Sequence, residues 1–393
     1  MTAASDCDIL IIGGGHSGLF LACALACRGY RVLVADPAPL FPPEGRADGR
    51  NLALLRGSRD IAERHGLWSE IAAIACPVDR VVALERPGGA RVVYRASELD
   101  GLPLAYGVEH GALRRVLAAA FSRRLGPRSY RQRRLLSFTR DPETITARFE
   151  DGSEIRTRLL VGADGRGSAV RRRACIPIRR WDYGQTALTF VIEHEYPARG
   201  TIHEFLRPGG PLALLPLASH RSGVTWVVPA ERARELAILP ETALLARLAR
   251  ETEGVTGRMR LASPVSAWPL SAQYAWRHAV PRVVLVGDAA HGVHPIHAQG
   301  FNMALADIDV LVRELARAQH DPGAPDPLRA YERARSRANL ARLWMTDALN
   351  RIFSSHLPLL QPLRSGAIAA LDVLAPLRRR AMWHGMVLHD RAG

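Results

Sequence analysis

Lysine is absent from this 393-residue chain. All 53 of its basic residues are arginine, set against 38 acids, which leaves a net charge of +15. The absence excludes a lysine Schiff base, a lysine general base and a phosphate-binding loop that ends in Lys-Ser/Thr. Cysteine is scarce. The five present, Cys7, Cys23, Cys27, Cys76 and Cys175, are odd in number and lack paired metal-ligand spacing. They argue against a disulfide scaffold and fit a reducing cytoplasm. No eighteen uncharged apolar residues run together, so no membrane-spanning helix is expected, and no signal segment is visible at the start. Attachment to the inner face of a membrane stays open. Aromatics make up only 6% of the chain. None interleaves the densest arginine clusters, Arg131 with Arg133 and Arg134, Arg171 to Arg173, and Arg378 to Arg380, which argues against nucleic-acid binding.

What is present is enough apolar material for a large core, 48% hydrophobic against 23% charged, in a length that suggests two intimately packed parts. The opening carries the first chemical pattern. Cys7 to Ile12 reads as a buried strand, Gly13 to Gly18 as a GGGHSG turn, Leu19 to Arg28 as a helix, and Arg31 to Ala35 as a second strand ending at Asp36. This is strand, G-x-G-x-x-G, helix, strand, acid, with the acid eighteen residues beyond the last glycine. In such a turn Gly13 permits the tight bend, Gly15 lets backbone approach a pyrophosphate, and Gly18 lets helix pack on strand. Asp36 is placed to accept from an adenosine ribose, and the helix start offers amides to an anion. The motif alone does not separate NAD from FAD.

Two later segments bear on that choice. Arg158 to Arg172, RLLVGADGRGSAVRR, runs a strand into a D-G turn at Asp164. Arg282 to Ile308, RVVLVGDAAHGVHPIHAQGFNMALADI, runs a strand into Gly287 and Asp288, then a loop with Pro295, then a helix from near Gly300. With these three fingerprints in order, the sequence resembles the single-component, group A FAD-dependent aromatic monooxygenases. It is most similar to their ubiquinone-biosynthesis hydroxylases. DGRNLALLRGSRDIAERHGLW (Asp48 to Trp68), YGQTAL (Tyr183 to Leu188), GPLALLPL (Gly210 to Leu217), HPIHAQGFN and MTDALNRIF (Met345 to Phe353) carry the resemblance over nearly the whole chain. It departs at His297 and Ala298, where the subgroup usually has Ala-Gly, and at His110, beside a helix expected to start near Gly111, where the family usually presents Asn, Gln or Arg to the flavin.

The resemblance implies a Rossmann-like α/β FAD-binding domain with a parallel sheet and helices, a β-sheet substrate domain and C-terminal helices. The implied division is FAD-binding parts at 1–75, 106–178 and 273–325, substrate strands at 76–105, a substrate-binding sheet at 179–272 and a helical region at 326–393. It also implies FAD, an external donor that is NAD(P)H or a ferredoxin, dioxygen, and a polyprenylated phenol whose ring is hydroxylated through a flavin C4a-hydroperoxide. It assigns Asp288 to the ribityl chain and pyrophosphate, Arg50 to the pyrophosphate side, and Asp164 to stabilising the dinucleotide turn. His110 would face the flavin, and Pro295 would bound the ring site. The amides of Gln299, Gly300 and Phe301 open a helix whose positive end would stabilise the anionic reduced ring.

Histidines 291, 294 and 297 recur every three residues, yet belong to that loop with no converging acidic ligand, so no metal is expected. His297 is a candidate for positioning or deprotonating a phenol. Apolar runs at Thr186–Ile192, Leu212–Leu217 and Gly223–Val228 are expected to build a sheet over the flavin. Phe205, Leu215 and Trp226 within it are equally explained by packing. Helical spacing links Phe301 to Leu315 and Ala341 to Ile352. Leu357 to Leu388, leucine-rich and ending near the Arg378 to Arg380 cluster, is expected to pack on the FAD domain, with peripheral membrane contact as the sharper alternative. An FAD reductase or dehydrogenase of an isoprenoid, or a non-catalytic flavoprotein subunit of a biosynthetic complex, are the other readings.

Overall fold

The computed structural model describes residues 6–42, 49–86, 88–317 and 321–386. Asp48 and the far end of the Leu357 to Leu388 stretch lie outside them.

The apolar run at the start forms β1 (Cys7–Ile12), followed by α1 (His16–Ala26) and β2 (Val32–Asp36). β1 is nearly continuously apolar because both of its faces are covered, the pattern of a parallel sheet between helices. It lies inside an eight-stranded sheet, parallel to β2 on one side and to the strand Glu154–Gly162 on the other. Val283–Leu285 continues the parallel order beyond Glu154–Gly162, and Tyr130–Gln132 beyond β2. The three fingerprint turns therefore leave neighbouring strands at the same edge of one sheet. α1 shows no polar stripe, since Gly18 to Leu25 are all buried under the helices His110–Leu125 and Gln299–Arg317. It begins at His16, three residues before the expected Leu19, because the turn passes into helix directly after Gly15.

A second, nine-stranded sheet is centred on the 17-residue strand Ile178–His194. Ser266–Ala275 flanks it on one side. On the other side Arg221–Pro229, Leu212–Ala218, Thr201–Leu206, Arg80–Glu85 and Arg91–Arg95 follow in turn. The three apolar runs expected from sequence thus sit in adjacent strands. One face of this sheet is closed by the helices Ala230–Ala237 and Glu241–Glu251, under which Phe190, Phe205 and Trp226 are buried. The strand period of two then sends Ile202, Glu204 and Leu206 to the opposite face. There Ile202 and Ala298 join one apolar cluster, and Leu206 and Ile296 join another.

Within the long strand, three residues, Tyr183 to Gln185, stand opposite the single Leu270 between the paired positions Asp182↔Ser271 and Thr186↔Pro269. Gly184 absorbs this bulge at φ +65°. A small antiparallel sheet of Asn51–Leu55, Ala105–Glu109 and Cys76–Val78 joins the two layers. The helices Pro325–Ser354, Leu360–Val373 and Ala375–Met386 complete the fold.

Candidate functional site

The glycine turn divides its residues by surroundings. A Cβ on Gly13, itself at φ +113°, would lie 2.3 Å from the Ala163 carbonyl oxygen, and one on Gly18 would lie 1.8 Å from that of Gly13. Both glycines are required by protein packing alone. A Cβ on Gly15 would meet nothing within 4 Å, and the same holds for Gly300. Space is therefore kept open at the start of α1 and at the start of Gln299–Arg317, where backbone amides are unsatisfied and positive.

The turns converge. His16 Nε2 lies 2.9 Å from the His110 carbonyl oxygen. The His16 ring meets the rings of His110 and Phe301 edge-on, with centroids 4.2 and 5.6 Å apart. Gly287 is wedged between the N-terminal parts of two helices, its notional Cβ 3.0 Å from Ala304 and 3.2 Å from Ser17 Oγ. Asp288 follows, its side chain partly exposed, with Arg166 Nε 3.3 Å from Oδ2. Arg166 also donates to the carbonyls of Ser271 and Val293, so one guanidinium ties the D-G turn, the G-D turn and the second sheet together. Sequence reading passed over this residue, although its place in DGRGS was in plain view.

Asp36 Oδ2 accepts from the Gly14 amide at 2.6 Å and Oδ1 from the Ala38 amide at 2.7 Å. The carboxylate shapes the turn while its remaining lone pairs stay available. Asp164 Oδ2 caps the short helix Ala169–Arg173 through the amides of Ala169 and Val170. Its Oδ1 is buried without a partner beside the glycine turn, hydrogen-bonding capacity suited to a bound group or water. Arg50 stands with its guanidinium 4.5 Å above the Trp268 ring, and its carbonyl accepts from the His110 amide. His110 is the first residue of its helix, one before the expected start.

The loop from His291 to Gln299 is fixed from below. His291 Nε2 lies 2.6 Å from Asp307 Oδ2, which also accepts from the Gly287 amide. Arg335 and Asn339 donate to Oδ1 of the same buried carboxylate. His294 accepts from the Ile296 amide at Nδ1 and meets the Tyr183 ring edge-on. Burial pushes its imidazole down to about 3, so it stays neutral with its proton assigned to Nε2. His297 turns elsewhere, its Nδ1 3.6 Å from Glu204 Oε2. The three histidines thus take three different partners.

His297 and Ala298 are both left-handed, at φ +58° and +52°. The loop keeps the shape that glycine would take easily, at a cost of about 1–2 kcal/mol for each non-glycine residue. Asn302 holds it there. Its Nδ2 donates to the carbonyls of Ala298 and Ala53, and its Oδ1 accepts from the Leu55 amide and Ser58 Oγ. Gln299 is buried with its Nε2 on the His297 carbonyl. Pro295 precedes a short turn, and Phe301 packs against the core around α1. The bulge sends Gln185 to the Gly209 carbonyl and Ser354 Oγ, and brings Tyr183 to His294, so YGQ links the sheet to the loop and to the helix Pro325–Ser354.

An open glycine corner, amides at two helix starts, an orphaned carboxylate oxygen and a left-handed loop together suit a flavin dinucleotide. Comparison with known proteins agrees. The FAD binding domain family matches residues 6–343. The ubiquinone hydroxylase UbiL of Rhodospirillum rubrum is 36% identical over 98% of this chain and 91% of its own. The 3-demethoxyubiquinol 3-hydroxylase of Escherichia coli is 30% identical over 97% and 98%. The crystal structure of p-nitrophenol 4-monooxygenase PnpA from Pseudomonas putida superposes with a TM-score of 0.81 over 98% of this chain and 99% of that one, at 16% identity, a likeness of fold. The chain belongs to the FAD-dependent monooxygenases, within the family that holds the ubiquinone hydroxylases.

Proposed function

We propose that this enzyme hydroxylates the aromatic ring of a polyprenylated phenol in ubiquinone biosynthesis. The observation that carries the reading is the convergence of His16, His110 and Phe301, which joins the glycine turn to the starts of the helices His110–Leu125 and Gln299–Arg317. When bound, FAD supplies reductive activation of dioxygen and electrophilic oxygen transfer. The chain's own residues bind and orient. Gly15 leaves room for the pyrophosphate, with Asp288 and Arg50 beside it. Asp36 reaches the ribose, Asp164 keeps its turn in place, and His110 faces the ring from its helix start. Pro295 bounds the ring site, and the amides of Gln299, Gly300 and Phe301 offer positive charge to the reduced ring. The left-handed loop and the overlying sheet keep water away. The electron donor is NAD(P)H or a ferredoxin.

The test is turnover of a short-chain prenylated phenol under labelled dioxygen. One labelled oxygen atom is expected in the product ring. Unlabelled product would favour an isoprenoid reductase or dehydrogenase, and a reducible flavin without product would favour a non-catalytic subunit of a biosynthetic complex.

A second surface supports peripheral membrane contact. Leu359, Leu363, Val373 and Leu374 are exposed on and beside the last two helices, 82, 67, 78 and 52% accessible, with exposed Arg379 and Arg380 close by. Apolar side chains beside arginine suit an anionic bilayer, where a polyprenyl tail resides.

A further inference from the structure

We propose that His297 takes the phenol proton and that Glu204 is the positioning residue that orients its ring and balances the charge it gains. This deepens the proposed hydroxylation and rests on it. Glu204 occupies the middle of the strand Thr201–Leu206, between Ile202 and Leu206, which share apolar clusters with Ala298 and Ile296 of the flavin loop. The strand's alternation therefore aims a carboxylate at the loop while Phe205 is buried on the other face. Burying a carboxylate to 8% exposure needs a compensating partner. Its Oε2 lies 3.6 Å from His297 Nδ1, a contact that becomes an ion pair once that imidazole gains a proton.

His297 complements it. Its side chain remains 38% exposed, the loop holds its backbone left-handed, and its Nδ1 edge faces Glu204 at 3.6 Å. A non-glycine residue kept in that conformation at a site is a reason to ask what its side chain does. With Nδ1 toward the carboxylate, Nε2 is the edge left for substrate. The phenol O–H bond breaks, its proton forms an N–H bond at Nε2, and the ring keeps the electron pair as phenolate. The imidazolium then stands beside the Glu204 carboxylate, and the proton returns when the product oxygen is rephenolised. A phenolate ring is the more electron-rich target for electrophilic oxygen.

Other titratable groups near the pair do not offer the same service. Tyr94, two strands away on Arg91–Arg95, is pushed up to about 12 by burial and by Glu204 against the opposing charge of Arg378, so it stays a neutral phenol. His294, in the same loop, is buried and neutral. His203, next to Glu204, is held neutral by burial and by Arg80.

The test uses FAD-loaded, oxidised enzyme and 2-geranylphenol carrying carbon-13 at the hydroxyl-bearing carbon, whose NMR shift reports ionisation without turnover. In the native protein the bound phenol is expected to ionise at least one pH unit below the free phenol, which lies near 10. Glu204→Gln should move that midpoint up by about one unit, a tenfold change in proton affinity, and Glu204→Asp should recover part of it. His297→Ala should return it to the free value. Circular dichroism and retained yellow colour establish that each variant is folded. A bound phenol with the same midpoint in all these proteins overturns the pair alone. Absence of a bound signal in the native enzyme overturns the substrate reading and the pair with it.

Discussion

Gly15 and Gly18 stand three residues apart and meet opposite surroundings, which separates binding from folding at the residue scale. Gly15 has φ −71°, ordinary for any residue, and open space where a side chain would go. Gly15→Ala is therefore expected to fold with a thermal midpoint like that of the parent and to purify colourless, because the methyl group occupies the approach to the pyrophosphate. Gly18→Ala drives a methyl into the Gly13 carbonyl and is expected to lose about 1–3 kcal/mol or more, measured by denaturant unfolding. Equal stability losses in the two variants would refute the distinction. These glycines were legible in the sequence because a backbone constraint leaves few residues to choose from. Asn302, Arg166 and Glu204 were not. Asn302 acts on Ala53, Leu55 and Ser58, some 244 to 249 positions earlier, and Arg166 acts on Asp288, 122 positions later. Such roles exist only once the sheets are assembled. His297 was legible as a member of the loop, but its carboxylate partner on another strand was not.

At the scale of elements, the helix Gln299–Arg317 is held by two acids that face different ways. Asp307 meets His291 and Arg335, while Asp309 meets Arg64 and His65 of the helix Arg56–Arg64 and its cap. Burial alone would raise both carboxyls. For Asp307 the charges of His291 and Arg335 outweigh it and hold the group well below the usual carboxylate range. For Asp309 the hydrogen bonds from His65 and Arg64 bring it down to about 2. A group whose folded value is depressed adds stability that is complete above its unfolded value, about 4, and is lost as pH falls through the folded one. Unfolding free energy is thus expected to drop between about pH 4 and pH 2 as Asp309 and then Asp307 take up protons. Asp309→Asn should make that drop shallower and cost about 1–2 kcal/mol at neutral pH. Asp307→Asn, which removes the buried negative charge that faces Arg335, should cost about 3–5 kcal/mol. Urea midpoints from pH 7 to 2.5 measure both, and an Asp309→Asn curve parallel to the parent's would reject the account. The element order was readable from periodicity and turns, yet helix starts shifted by one to three residues at His16 and His110. Those ends are set by caps and neighbours rather than by apolar spacing.

On the scale of the whole molecule, the proposed membrane contact would draw on both the +15 charge and the exposed leucines on and beside the last two helices. No helix among the described residues is long and apolar enough to cross a membrane. Replacing Leu359 and Leu363 by aspartate should lower co-sedimentation with phosphatidylglycerol vesicles at least tenfold, since each leucine withdrawn from lipid forfeits about 1.5–3 kcal/mol. Binding should also weaken with salt and vanish on neutral vesicles, because arginines near a charged surface contribute about 1 kcal/mol each. Indifference to both the substitutions and the lipid charge would remove the contact.

The bulge at Tyr183 to Gln185 has a consequence for how this scaffold tolerates change. It adds two residues, an even number, so the in-and-out parity of the long strand survives the interruption and Leu188, Phe190 and Ile192 still point into their core. Deleting one residue there would invert every side chain downstream and turn that apolar row toward the opposite face of the sheet. Removing two would preserve the sheet and withdraw only the tyrosine and glutamine that anchor its neighbours. Length variation at this point is therefore quantised in pairs.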